Sequence, residues 1–392
     1  MSKTFFSSLK RVRISSYVMR TKYIVIIFAC IFLIVFGRTI ETPSLSKTAI
    51  VLGVGIDYNE ENREFEVSTQ TILVGASTGD TSQTTYNNYT GKGKTISGAL
   101  DDISQKMGLL ITLSHCNVLF VSTNALKLDH FHLLYPLIVM YELPEQAIVV
   151  SGNQSPREML AIRVGTTVSS PYFLQSSLLN EEGSDGMIRT TVKNMLARSL
   201  SRSKSVVIPY IKTQKLQDQP MTGQENLKDN YEFDLSQSLA FNHSDNVVIE
   251  KDMTEILALY FSKDASGTIN YTAQNGDSIE FKILKHKVKM EADNRTVSVS
   301  IKLSVDVLGI QHVNSNSVLS GADEIVKQYA EQLAKQISDI LYGMFELSQE
   351  KNIDFLYLQE KVYQSVGRTL EHDCLNTLSF SAKTDITVEE AS

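Results

Sequence analysis

The segment Lys92-Gly93-Lys94-Thr95 ends like a phosphate-binding loop, in which backbone N–H groups between two glycines cradle an anion and the lysine reaches it. The first glycine of that pattern would fall at position 88, which is Asn88, so the cradle is incomplete. Gly53-Val54-Gly55, followed by Asp57, is a second glycine-rich candidate, but it lies within a β-branched apolar run rather than after one. Close backbone packing accounts for it better than a nucleotide does. His130 and His132 are two apart, which on a helix sends them to different faces and leaves no zinc pair. Ser114-His115 sets a nucleophile beside a base, yet neighbours in a strand point to opposite sides and no acidic orienter is legible. Asp101-Asp102 and Glu181-Glu182 are adjacent carboxylates, not a facing acid–base pair.

Enzymatic activity is therefore not expected, and neither a catalytic residue, a cofactor nor a metal is assigned. For Gly53, Gly55, Asp57, Ser114 and His115 a structural role is expected, the first three at an opening turn and the last two inside a second sheet. Of the three cysteines, Cys30 belongs to an apolar run, leaving Cys116 and Cys374 as a potential pair. They are either a disulfide or two buried small hydrophobes, and so sparse a set favours the second.

The elements that position these residues begin with an apolar run over 23–37, free of charge between Lys22 and Arg38. The 22 residues before it carry six basic groups (Lys3, Lys10, Arg11, Arg13, Arg20, Lys22) and no acidic one. That pairing reads as a signal-anchor with its basic side in the cytoplasm and everything after Arg38 outside. At about 1.5 Å per residue the run covers roughly 22 Å of a hydrocarbon core about 30 Å thick, so flanking residues must extend it. Two other readings stand beside it: a cleaved signal peptide ending near Val35-Phe36-Gly37, and a lipoprotein signal with Ile27-Phe28-Ala29-Cys30 as its box, where Cys30 would take the lipid. A bulky Phe28 in the box disfavours the last.

With 42% hydrophobic and 21% charged residues, the 392-residue chain has enough apolar material for two or three ordinary domains. The net charge of −7 is more negative still beyond the leader, which argues against nucleic acid as a partner. Period-two and β-branched runs predict strands over 49–56 and 65–72, joined as a hairpin, and over 117–121, 147–150 and 206–211. Residues 75–93 read as an exposed loop, 95–103 as a capped helix, and 129–143 as a helix containing Pro136. Ser155-Pro156, with Glu158 after them, marks a further helix start, and 177–200 reads as helical. Further on come a hairpin over 236–250, a short helix over 253–259, and a meander of 278–290 with 296–308. Beyond Gly321, Ile325, Val326, Tyr329, Leu333, Ile337, Ile340, Leu341 and Met344 form a helical stripe that should cover the sheet.

The expected fold is α+β and multi-domain, with mixed and antiparallel sheets packed with helices behind one N-terminal transmembrane helix. Its expected divisions are a basic cytoplasmic leader (1–22), a transmembrane signal-anchor (23–37), an N-terminal α+β region (38–211), a linker (212–230) and a C-terminal α+β domain (231–392).

The order of segments resembles the Ger(x)C family of spore germination proteins, the C subunits of nutrient germinant receptors. The residues that carry the likeness are Ile50-Val51-Leu52-Gly53-Val54-Gly55-Ile56-Asp57 with Phe65-Glu66-Val67-Ser68-Thr69-Gln70, then Gly93-Lys94-Thr95-Ile96-Ser97-Gly98-Ala99-Leu100 and Leu113-Ser114-His115-Cys116-Asn117-Val118. Later matches are Leu239-Ala240-Phe241-Asn242-His243, Val247-Val248-Ile249, Glu255-Ile256-Leu257-Ala258-Leu259 and Gln349-Glu350-Lys351-Asn352-Ile353-Asp354-Phe355. The resemblance implies a membrane-attached, non-catalytic subunit of three mixed α and β domains, working with integral-membrane A and B type subunits at the spore inner membrane. Family members are normally lipoproteins with a Trp-containing segment after the lipidated Cys, whereas this chain has no Trp. An extracytoplasmic solute-binding protein or envelope enzyme unrelated to germination is the alternative.

Overall fold

The computed structural model describes residues 23, 26–32, 48–72, 86–164, 168–180, 186–215, 231–262, 267–273, 276–311, 323–366 and 374–389. The chain divides into two units, residues 1–48 and 49–392. In the first, Tyr23 and residues 26–32 are helical and exposed, Cys30 among them. Among the described residues no helix is long and apolar enough to cross a membrane. The rest of the expected span and the leader 1–22 lie outside the described residues, as do Glu181-Glu182, 75–85 and 216–230.

Starting at the boundary between the units, β1 (Thr48–Asn59) and β2 (Glu64–Ile72) form an antiparallel hairpin, as the sequence predicts. After it come β3 (Tyr86–Gly93), α1 (Ile96–Met107), β4 (Leu110–Thr112), β5 (Val118–Val121), α2 (Thr123–Leu126), α3 (His130–Tyr141) and β6 (Ile148–Gly152). There follow α4 (Pro156–Ala161), the short pair β7 (Arg163–Val164) and β8 (Val168–Ser169), α5 (Ser170–Asn180), α6 (Val192–Ser199), β9 (Val206–Lys215), β10 (Tyr231–Phe241), β11 (Asn246–Ile249) and α7 (Lys251–Phe261). The chain ends with β12 (Gly267–Thr272), β13 (Ser278–Asp293), β14 (Thr296–Gln311), α8 (Asp323–Lys351), α9 (Leu358–Val366) and β15 (Ser379–Val388).

Nine of the described strands form one mixed sheet in the order β11-β10-β9-β6-β5-β1-β2-β3, with β4 on β1. Its middle, β9-β6-β5-β1, is parallel, and its flanks are antiparallel. The middle strands are apolar without alternation because helices cover both faces: β5 is Val-Leu-Phe-Val, buried throughout. Leu100, Leu134 and Met195 of α1, α3 and α6 pack on one face, and Leu160 and Leu174 of α4 and α5 on the other. The second sheet, β12-β13-β14-β15, buries one face under α8 through Leu333, Ile337, Leu341 and Met344, as the sequence stripe predicts. Its core also takes in Val207, Ala240 and Ile249 from β9, β10 and β11, so apolar packing runs from one sheet to the other.

Four expectations need correction. Residues 86–93 are strand β3 rather than loop: they are polar because β3 is the sheet's edge, and Gly91 is there because α1 lies so close that a Cβ would fall 2.2 Å from the Ala99 carbonyl. The stretch 177–200 is not one helix. Gly186 adopts φ +67°, residues 186–190 run irregularly, and Thr191 caps a new helix through the Asn194 N–H. Residues 212–215 continue β9, which pairs with β10, so the strands on either side of the polar stretch are sheet neighbours. Finally, Ser114 and His115 sit in an exposed turn, not inside a sheet, and Gly53, Gly55 and Asp57 lie along β1 itself rather than at a turn.

Candidate functional site: an intramolecular junction and its cleft

The glycines of β1 are packing positions. A Cβ at Gly53 would lie 2.4 Å from Pro171 Cγ, and one at Gly55 would lie 2.8 Å from Pro156 Cβ, so their hydrogens let α5 and α4 approach the sheet. Asp57, opposite Glu66, accepts a 2.8 Å hydrogen bond from the Tyr58 N–H. Ser114 and His115 ride on a turn closed by the Cys116 N–H on the Leu113 carbonyl at 2.8 Å, with Leu113 and Cys116 buried beneath. The structure therefore does not gather these five residues into a reactive cluster. The resemblance to a phosphate loop dissolves likewise: Thr95 Oγ1 caps α1 by accepting from the Gly98 N–H, Lys94 Nζ donates to the Asn62 carbonyl, and the Lys92 N–H donates to Asp102.

Burial governs the remaining candidates. Cys116 and Cys374 are buried thiols in separate apolar clusters, and burial pushes the Cys116 thiol up to about 12. His130 is fully buried, with Nε2 2.7 Å from the Leu126 carbonyl and its ring stacked at 4.6 Å on His243. Burial, aided by the neighbouring His243, holds its basicity below that of an ordinary histidine. His132 points elsewhere and meets Asp129 at 3.1 Å. Among the described residues, no three His, Cys, Asp or Glu side chains are grouped to hold a metal ion.

What the fold does gather is a junction between its two halves. The turn between α8 and α9 carries Asn352 and Tyr357 in the left-handed region, and between them Asp354 is 1% exposed. The Asp354 carboxylate accepts hydrogen bonds from Ser203 Oγ (2.6 Å) and from the Leu358 and Gln359 N–H groups (2.9 and 2.8 Å), so one side chain caps α9 and grips the α6–β9 connection. Around it the Arg198 guanidinium lies 4.0 Å from the Tyr357 ring centroid and 4.7 Å from that of Phe261, and Arg202 lies 4.4 Å from Tyr363. The Arg202 N–H donates to Glu360, and the Tyr260 hydroxyl donates to the Leu356 carbonyl. Sequence reading found Asp354 only inside a family-like string and missed Arg198, Arg202 and Ser203. Their signal, two arginines and a serine within six residues, has no meaning until the partner turn, some 150 residues on, is folded against them.

Beside the junction lies a cleft of about 990 Å³, walled by residues 187–190, β10, α7 and β12. Arg189, Asp234, Lys251 and Glu255 bring both signs of charge to it, and Phe173, Phe233 and Phe261 an apolar floor. Burial works against the Asp234 carboxylate, but hydrogen bonds from Ser236, with Lys212 and Lys251 nearby, outweigh it and keep the group below the usual carboxylate range. Burial pushes the Glu255 carboxyl upward.

The molecule is thus a mixed-sheet body whose two halves are joined through the buried Asp354. Residues 42–213 match the family model described as the spore germination protein N-terminal domain, and residues 240–389 that described as spore germination B3/GerAC like, C-terminal. The chain is thus a spore germination protein over nearly all of its body. In particular, it belongs to the Ger(x)C family. No curated protein matches it. Among solved structures, that of "the GerBC protein" is similar at 13% identity and a TM-score of 0.49, covering 86% of this chain and 96% of that one.

Proposed function

We propose that this chain is a membrane-anchored, non-catalytic subunit of a spore nutrient germinant receptor, acting by contacts with integral-membrane A and B type subunits. The observation that carries the reading is the paired match of both Ger(x)C halves, in order, over 42–213 and 240–389. The basic leader and the apolar run after it support attachment to a membrane with the body on the extracytoplasmic side, at the spore inner membrane. In this reading the run is an uncleaved anchor rather than a lipid signal at Cys30, and it raises the local concentration of the body beside its partners. The family residues Gly53, Gly55, Asp57, Ser114 and His115 shape that body rather than react.

Deleting the gene and timing germination against a panel of nutrients is the direct test. Slower germination with one nutrient class is expected, and unchanged kinetics with every nutrient would remove the proposal. Affinity capture from solubilised spore membranes should bring down the A and B type subunits.

The cleft favours a second reading, in which the body binds a small polar solute with paired charges between Arg189 or Lys251 and Asp234 or Glu255. Titration calorimetry against amino acids and sugars separates the two, since saturable heat lost in an Asp234→Ala variant belongs only to the second.

A further inference from the structure

Helix α3, His130–Tyr141, contains no lysine, arginine, aspartate or glutamate, and only one of its faces is covered. Leu133, Leu134 and Leu137 pack on the sheet, whereas Phe131, Tyr135, Val139 and Met140 stand 45 to 65% exposed along the opposite side. Phe131 and Tyr135 lie with ring centroids 5.2 Å apart, and Val139 follows at the same four-residue step, so these three form a ridge along the helix. Apart from His132, which meets Asp129 at the start of the helix, the outer face presents apolar and aromatic side chains, as a face with a non-aqueous neighbour does.

Where the ridge ends is set by the topology. Strands β1 and β5 are parallel, with Gly53 opposite Val118, and the Asn117 N–H donates to the Leu52 carbonyl. The Leu113 N–H in turn donates to the Tyr141 carbonyl at 2.7 Å. The C-terminal turn of α3, with Val139 and Met140, therefore lies at the same edge of the sheet as the start of β1, where the chain arrives from the leader. Exposed Leu110 belongs to β4, the strand added to β1. Residues 38–47, which separate the apolar run from β1, can span at most about 35 Å when fully extended.

The exposed part of the ridge amounts to about 400 Å², within the range of the largest, often functional, apolar patch on a soluble monomer but only about half of what each side of a stable protein interface needs. A bilayer interface has no such minimum, and it accepts Phe, Met and Val in the acyl region with a Tyr hydroxyl at the headgroups. We infer that the outer face of α3 rests in the interfacial layer of the membrane, giving the body a second contact besides its leader. The inference rests on the reading of residues 23–37 as an anchor.

The test uses the full chain reconstituted in phospholipid vesicles and an environment-sensitive fluorophore. A label on Cys30 of the wild-type chain reports the anchor, and a label at Val139→Cys in a Cys30→Ser background reports the ridge. The expected result is blue-shifted emission at position 139 that doxyl-lipid quenches and aqueous iodide does not. With Cys30 lipid-quenched, an iodide-accessible label at 139 overturns the contact while leaving the anchor intact. A label at 139 protected from both quenchers also overturns it, because the ridge is then covered by protein. If Cys30 itself escapes the lipid quencher, the anchor reading fails and the inference falls with it.

Discussion

At the scale of single residues, the positions that matter most are those where nothing larger or less polar fits. Gly53→Ala should destabilise the protein by about 1–3 kcal/mol, because the new methyl meets Pro171 in a filled layer. Urea unfolding monitored by circular dichroism measures it. Asp354→Ala should cost more, about 2–4 kcal/mol, since it strands the Ser203 hydroxyl and two helix N–H groups without their acceptor. Ser203→Ala, which deletes one donor to Asp354 and a long acceptor contact to the Glu360 N–H, should cost less, about 1–2 kcal/mol in the same assay. His130 gives a pH dependence with a definite sign. The folded state holds the ring neutral through burial, whereas the unfolded chain takes a proton near the ordinary value of 6.5. The unfolded state therefore binds more protons, and stability present above about pH 6.5 declines as the pH falls below it. A His130→Phe variant should lose that part of the slope between pH 7 and 5. Chemistry at this scale was legible mainly by elimination: Asn88 spoiled the phosphate loop and the spacing of His130 and His132 spoiled a zinc pair. His115 was misplaced because Leu113-Ser114-His115-Cys116 carries no glycine or proline to mark the turn that exposes Ser114 and His115 between buried Leu113 and Cys116.

Elements were read well where one physical signal dominated. The β13–β14 meander and the stripe of α8 each bury one face, so period alone gives them, whereas β1 shows itself as a β-branched apolar run with consecutive buried residues. The Ser155 and Glu158 capping box forms as the sequence requires, each closing on the other's backbone N–H. Elements were missed where tertiary contacts outvote local preference: β3 is polar and glycine-bearing, and only its pairing with β2 and the approach of α1 make it a strand. The cap on α1 gives a prediction at this level. Thr95→Ala should lower stability by about 1 kcal/mol, and Thr95→Ser should restore most of it, as thermal melts of the two variants would reveal.

For the whole molecule, the polar stretch 212–230 looked like a seam, and the family models do break between residues 213 and 240. Yet β10 and β11, beyond it, complete the first sheet, and Val207, Ala240 and Ile249 belong to the second core. The body should therefore unfold in one calorimetric transition rather than two, and a fragment ending at Lys215 should aggregate through the bare edge of β9. Two resolved transitions in a calorimetric scan would contradict this coupling. No local pattern in the sequence could announce it, because the residues that join the halves, Arg198 to Ser203 and Asp354 to Tyr363, are unremarkable within their own segments.

The same junction imposes an order on biogenesis. Ser203 meets its acceptor 151 residues downstream. A chain made from its N-terminus can complete the first sheet at β11, but Val207, Ala240 and Ile249 lack the rest of their core until β13, β14 and α8 follow. Through that interval the chain would depend on whatever shields it from premature association.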